Sequence, residues 1–168
     1  ARGQQTGVWG DTAQPIAYRY NDYGELVEME TFQTLLDGNP STDPVEGSIT
    51  RWHYDEATGA LLKKEYADGL GPAYSYTESG QLRTRTWARE EASREKGVQT
   101  QYEYDPRTGS LSSTGYTDGT NVAYRYDDAG RLLEVTDLTG TRQFEYNVRG
   151  DVTAEIVSVS EEAAGAKI

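Results

Sequence analysis

Gly119-Thr120-Asn121-Val122-Ala123-Tyr124-Arg125-Tyr126-Asp127-Asp128-Ala129-Gly130-Arg131-Leu132 is the stretch whose reading decides the fold. Tyr124 and Tyr126, two positions apart, point to one face of an extended strand, and Arg125 points to the other. Asp127 carries a short polar side chain that folds back on its own backbone to start a turn. Gly130 suits the positive φ that a type I turn followed by a bulge requires. Leu132 then re-enters the apolar face as the return strand begins. The stretch is a β-hairpin.

Working outward, the same unit occurs six times: Tyr18-Arg19-Tyr20 to Leu26, Trp52-His53-Tyr54 to Leu61, Tyr74-Ser75-Tyr76 to Leu82, Tyr102-Glu103-Tyr104 to Leu111, Tyr124 to Leu132, and Phe144-Glu145-Tyr146 to Val152. The closing glycines are Gly24, Gly59, Gly80, Gly109, Gly130 and Gly150, and the turn is one residue longer after Tyr54 and Tyr104. The middle residue of each triplet is polar, so one sheet face is an aromatic ladder and the other is wet. A longer period lies on top, because Tyr54 to Tyr104 and Tyr76 to Tyr126 each span 50 residues. Self-similarity of this kind marks a repeat architecture. Six hairpins with two full long-turn/short-turn modules are expected.

Composition agrees. The 168 residues suit about one domain, with 13 tyrosines, 18 glycines and 35% hydrophobic residues at a mean hydropathy of −0.79. Disordered chains are poor in aromatics, and this one is rich in them. Twenty-eight acidic against 16 basic residues give a net charge of −12, which repels a phosphate backbone, so no nucleic-acid partner is expected. Without cysteine there is no disulfide framework, zinc-thiolate site or thiol nucleophile. No run is long and apolar enough for membrane insertion, and none reads as a signal peptide.

The hairpin unit resembles the YD-repeat, or Rhs-repeat, family, whose pattern is roughly Gly-x4-aromatic-x-Tyr-Asp-x-x-Gly-Arg-Leu. Gly119 to Leu132 matches at every defined position, Gly97 to Leu111 matches with one extra turn residue, and Gly69 to Leu82 has Thr77 for the aspartate. Gly140 departs by standing four residues before Phe144, and Tyr18 lacks the leading glycine. The resemblance covers about residues 17–155. It implies an all-β fold of tandem antiparallel hairpins in a curved, spiralling sheet, a segment of the hollow shell that encloses a toxin domain in bacterial members. It also implies a large secreted or cell-surface parent, with the remaining repeats as partners. The family's autoproteolytic motif is absent, since Asp105-Pro106 and Asp43-Pro44 lack its context, and no catalytic residue is carried over.

Other sites are weighed on their residues. His53 sits on the polar side of its strand with no second histidine to share a metal. The aspartates recur at turn starts, which explains them without a glycosidase pair or a calcium loop. No catalytic, cofactor-binding or metal residue is therefore expected, and no cofactor. Trp52, Tyr66, Trp87 and Tyr116 are the candidate ligand platform, because exposed aromatics stack on sugars. That is the basis of the alternative function, an adhesin module recognising carbohydrate or host protein; the favoured one is a non-catalytic shell segment.

The expected organisation is a lead-in at 1–16, the array at 17–157 with insertions at 31–49 and 88–96, and a flexible tail at 158–168. The second insertion, Ala88 to Lys96, is the only helix-prone stretch. An open sheet with raw edges is expected to self-associate weakly.

Overall fold

A computed structural model describes residues 3–10, 14–32, 47–88 and 98–160. Most of the insertion at 31–49, nearly all of that at 88–96, and the tail beyond Ser160 lie outside the described residues. Those described contain no helix and thirteen strands, hydrogen-bonded in chain order. The chain divides into two compact units, 1–74 with 87–89 and 75–86 with 90–168. The first holds β1 (Gly7–Val8), β2 (Ile16–Tyr20), β3 (Leu26–Thr31), β4 (Ser48–Tyr54) and β5 (Leu61–Glu65). β6 (Ala73–Tyr76) straddles the division. The second unit holds β7 (Leu82–Thr86), β8 (Gln99–Tyr104), β9 (Leu111–Tyr116), β10 (Asn121–Tyr126), β11 (Leu132–Asp137), β12 (Gly140–Tyr146) and β13 (Val152–Val159).

All six expected hairpins are present, each with its closing glycine at positive φ. In the short turns a single acceptor organises the chain. Asn21 Oδ1 accepts the backbone N–H groups of Tyr23 and Glu25 at 3.1 and 2.9 Å, and Asp127 Oδ1 those of Ala129 and Arg131 at 2.9 Å each. Asn147 does the same for Arg149 and Asp151. Thr77, the departure from the pattern, substitutes its hydroxyl, which accepts from Gln81 N–H at 3.1 Å. In the longer turns Asp55 accepts from Ala57 and Thr58, and Asp105 from Arg107 and Thr108.

Each registered hairpin carries a bulge just past its turn. Tyr126 faces Leu132 but Arg125 faces Glu134, leaving Leu133 without an opposite number. Tyr20–Leu26 with Arg19–Glu28 repeats this, as do the β4–β5, β8–β9 and β12–β13 hairpins. The extra residue reverses the alternation. Leucine is thereby placed on the aromatic face and glutamate on the wet one, although they stand two apart.

The aromatic face is half-buried. Among described residues, Phe32 is the one buried hydrophobic side chain, at 3% exposure, and every aromatic of the six triplets keeps some contact with solvent. Thr100 and Thr114 are buried on that face of the second unit, where Tyr116 stands opposite Thr100 and Tyr102 opposite Thr114.

The second aromatic of each triplet is always tyrosine, and at Tyr54, Tyr104 and Tyr146 its hydroxyl reaches a carbonyl of the preceding hairpin. Tyr54 donates to the Leu26 carbonyl at 3.1 Å, Tyr104 to Leu82 at 2.8 Å, and Tyr146 to Leu132 at 2.7 Å. Those carbonyls lie beyond the last registered pairs of the β3–β4, β7–β8 and β11–β12 ladders, at Glu28, Thr84 and Glu134. The phenol thus serves a backbone acceptor that the sheet leaves unmatched. Turn side chains reach across the same gaps. Gln81 Nε2 donates to Gly109 O at 2.8 Å, and Arg131 contacts Asn147 O at 3.5 Å while stacking 4.9 Å from the Tyr146 ring centre.

Two boundaries differ from the sequence reading. The lead-in holds β1, whose Gly7 and Val8 pair with Ala17 and Ile16. Nothing in so short a strand repeats the hairpin unit. At the other end β13 runs to Val159, and Ser160 N–H still donates to Thr139 O at 2.9 Å, so residues 158–160 are paired rather than part of a tail. Gly140 permits this extension, because a Cβ there would lie 1.9 Å from Ser158 O.

Two stability measurements test these features. At Gly130 φ is +80° and a Cβ would meet nothing within 4 Å, so Gly130→Val strains only the backbone, costing about 1–2 kcal/mol. Gly115→Val, in β9 with equally open space and ordinary φ, is the control and should not destabilise; equal melting shifts would contradict the turn assignment. Tyr104→Phe should cost about 0.5–1.5 kcal/mol through the orphaned Leu82 carbonyl. Tyr102→Phe should stay within about 0.5 kcal/mol in the same denaturant titration.

Candidate functional site

The platform residues are only partly brought together. Trp52 on β4 stands opposite Lys64 on β5, and Tyr66 follows Lys64 on the same face. Lys64 Nζ lies 5.2 Å from the Trp52 ring centre and 5.0 Å from that of Tyr66, a cation held between two π faces. Trp52 is half-buried and Tyr66 is 38% exposed. Trp87, 40% exposed, follows β7 and belongs to the same unit. Tyr116, 44% exposed, lies in the other unit. The sequence reading missed Lys64. Its signal was a lysine where the repeat 50 residues later has Thr114.

The wet face is built from matched charges. Arg19, Glu28, Arg51 and Glu65 register directly across β2, β3, β4 and β5, a row of alternating sign over four strands. Glu28 pairs with Arg19 and, at 3.2 Å, with Arg51. Glu65 takes Lys63 at 2.6 Å and lies 3.6 Å from His53 Nε2. The Lys63 hydrogen bond, followed by that lysine's charge, holds the Glu65 carboxyl below its ordinary range. In the second unit Glu134 receives Gln143 at 2.8 Å and Arg125 at 3.1 Å, which depress its pKa in that order. His53 therefore stands half-exposed on the wet face, opposite Lys63 and beside Glu65.

The turn carboxylates are likewise occupied. Asp55 is lowered chiefly by the Thr58 hydroxyl, Asp105 by the Arg107 backbone N–H, Asp127 by the Arg131 backbone N–H and Asp137 by the Thr139 hydroxyl. Each is held as the anion that accepts these bonds. Between the first two turns a groove is lined by Asn21, Tyr23, Glu25, Tyr54, Asp55 and Gly59. Its Glu25 is bound by Asn21 Nδ2 at 2.6 Å. Burial raises the Tyr54 phenol, with Glu25 adding to the effect. Among the described residues no three His, Cys, Asp or Glu side chains gather as a metal site requires.

Comparison with known proteins bears on this arrangement. Residues 126–160, from the end of β10 through β13, match the RHS Repeat family model. No curated protein matches the chain. Among solved structures, the chain is similar to a TcdB2–TccC3 crystal structure, with 20% identity and a TM-score of 0.67 over 89% of its length. It is also similar to the Photorhabdus luminescens Tc holotoxin pore, with 18% identity and a TM-score of 0.56 over 91%. The chain spans only 8% and 9% of the length of those two proteins. The family model thus covers residues 126–160, and the antiparallel hairpin unit found there recurs along the chain in a fold similar to that of these toxin-complex proteins.

Proposed function

We propose that this array is a non-catalytic wall segment of a large secreted RHS-type protein, part of a β-shell that encloses a toxin domain. One observation carries the reading: among the described residues, the turn carboxylates, the registered wet-face glutamates and three of the tyrosine hydroxyls are engaged in holding hairpins. Turn carboxylates accept backbone N–H groups, wet-face glutamates pair with arginine, lysine or glutamine, and tyrosine hydroxyls close the joints. A general acid needs a raised pKa at neutral pH, and the resolved carboxylate shifts run downward. The fold likeness to toxin-complex chains supports the same reading. The alternative adhesin role rests on Trp52, Tyr66, Trp87 and Tyr116. It is weakened where Lys64 already lies against the Trp52 and Tyr66 rings.

Purified chain offered glycoside, ester, peptide and phosphodiester substrates should turn over none of them. An activity lost in His53→Ala or Asp127→Ala would overturn the wall reading. A glycan array should also stay blank, and binding lost in Trp52→Ala would favour the adhesin.

The carboxylates give a pH signature with a definite sign. A depressed folded-state pKa contributes stability that is full above the unfolded value, about 4 for aspartate, and is lost as pH falls through the folded value. Thermal melts should hold down to about pH 5 and then decline. Asparagine serves as the cap at Asn21 and Asn147, so an Asp55→Asn/Asp105→Asn double variant should retain its turns and lose less stability between about pH 4 and pH 2. Identical acid slopes would contradict the assignment.

A further inference from the structure

The side chain that follows a turn glycine reaches toward the next turn of the array. Gln81, after Gly80, donates to the Gly109 carbonyl, and Arg131, after Gly130, contacts that of Asn147. Gln4, after Gly3, donates to the Gly24 carbonyl at 2.7 Å. Each brings a donor to a backbone acceptor. Arg131 does more, because its guanidinium also pairs with Asp127 at 2.6 Å and lies against the Tyr146 ring.

Between the β2–β3 and β4–β5 turns this position is held by Glu25, after Gly24, and a carboxylate only accepts. Glu25 points the same way as its counterparts. Its Oε1 would lie 3.2 Å from a Cβ at Gly59, and its charge adds to the burial that raises the Tyr54 phenol. Asn21 Nδ2 serves Oε2 at 2.6 Å, but among the described residues no donor meets Oε1 or the Gly59 carbonyl. Asp55 and Glu56 of the facing turn line the same space, a groove of about 550 Å³. The Tyr23 ring, 81% exposed, forms a further wall, and no lysine or arginine lines the groove. The later joint thus holds a guanidinium of this chain where the earlier one presents acceptors alone.

We infer that the groove between the β2–β3 and β4–β5 turns is a receptor site for an arginine side chain of a basic polypeptide, which supplies from outside what Arg131 supplies from within. A guanidinium fits better than an ammonium. Its planar fork serves the Glu25 carboxylate and the Gly59 carbonyl together, while its face stacks on tyrosine. A net charge of −12 draws basic segments toward the chain, and the groove selects where the arginine seats.

Titrating the full chain with the peptide acetyl-Gly-Arg-Gly-amide and following backbone amide shifts by NMR tests the site. The Tyr23, Glu25 and Gly59 amides should move saturably. Those of Arg149 and Gly150, in the turn that Arg131 already reaches, should not. The citrulline peptide, alike in shape but uncharged, should move none of them, and the lysine peptide should move them less. Glu25→Arg should fill the groove as Arg131 fills its own, raising the melting point and abolishing the arginine response. Glu25→Gln, which restores the donor found at Gln4 and Gln81, should abolish that response with the fold intact. Equal response to citrulline or lysine, shifts spread over the acidic surface, or arginine binding that survives both variants would each overturn the inference.

Discussion

One side-chain oxygen accepting two backbone N–H groups is the interaction on which the rest of this structure depends. Asn21, Asp127 and Asn147 each make that bifurcated contact, and Asp55 and Asp105 make its longer-turn form. By closing the turn, the acceptor sets which tyrosine meets which leucine and where the bulge falls. The bulge then decides which face receives leucine and which receives glutamate. An acceptor able to serve two donors is needed, and its charge is secondary: asparagine does the same work as aspartate.

The two faces spend their side chains differently. On the wet face, directly opposed arginine and glutamate form rows whose exposed pairs are individually worth little, about 0–1 kcal/mol each. At β4–β5 they also favour the register, since a slip would set Arg51 opposite Lys64 or Lys63 in place of Glu65. On the aromatic face the rings are half-buried and the polar tips are put to use. The tyrosine hydroxyls finish a ladder that strand pairing leaves incomplete, tying a hairpin to its predecessor at the turn end. Two such joints, Tyr54 to Leu26 and Tyr104 to Leu82, bridge hairpins whose covalent link at the other end is long. Side chains there supply the closeness that a short connection supplies elsewhere.

The hairpins were legible because everything that makes one is local: an aromatic pair, an acceptor, a glycine and a leucine within about a dozen residues. What was hidden is what depends on neighbours distant in sequence. The constancy of tyrosine at positions 20, 54, 76, 104, 126 and 146 was plain to see, but the use to which Tyr54, Tyr104 and Tyr146 put the hydroxyl, a carbonyl in the preceding hairpin, was not. β1 pairs by backbone alone and leaves no side-chain pattern. The end of β13 is set by the close approach of Ser158 to Gly140. Among the candidate platform residues, exposure was legible in outline, whereas the lysine between Trp52 and Tyr66 required knowing that β4 and β5 place it there.

The bulge gives each hairpin its bend. The residue after the leucine has no opposite number, so deleting it would not merely shorten the strand. Removing Leu133 would leave Leu132 and Glu134 adjacent and still on opposite faces, and would straighten the strand that the bulge now bends. Length varies widely where strands of different hairpins are joined, as it does between β3 and β4 and between β7 and β8, and by a single residue where a hairpin folds on itself. Viewed as a building unit, each hairpin keeps its turn to within one residue, and the long stretches of additional sequence stand at the joints between hairpins.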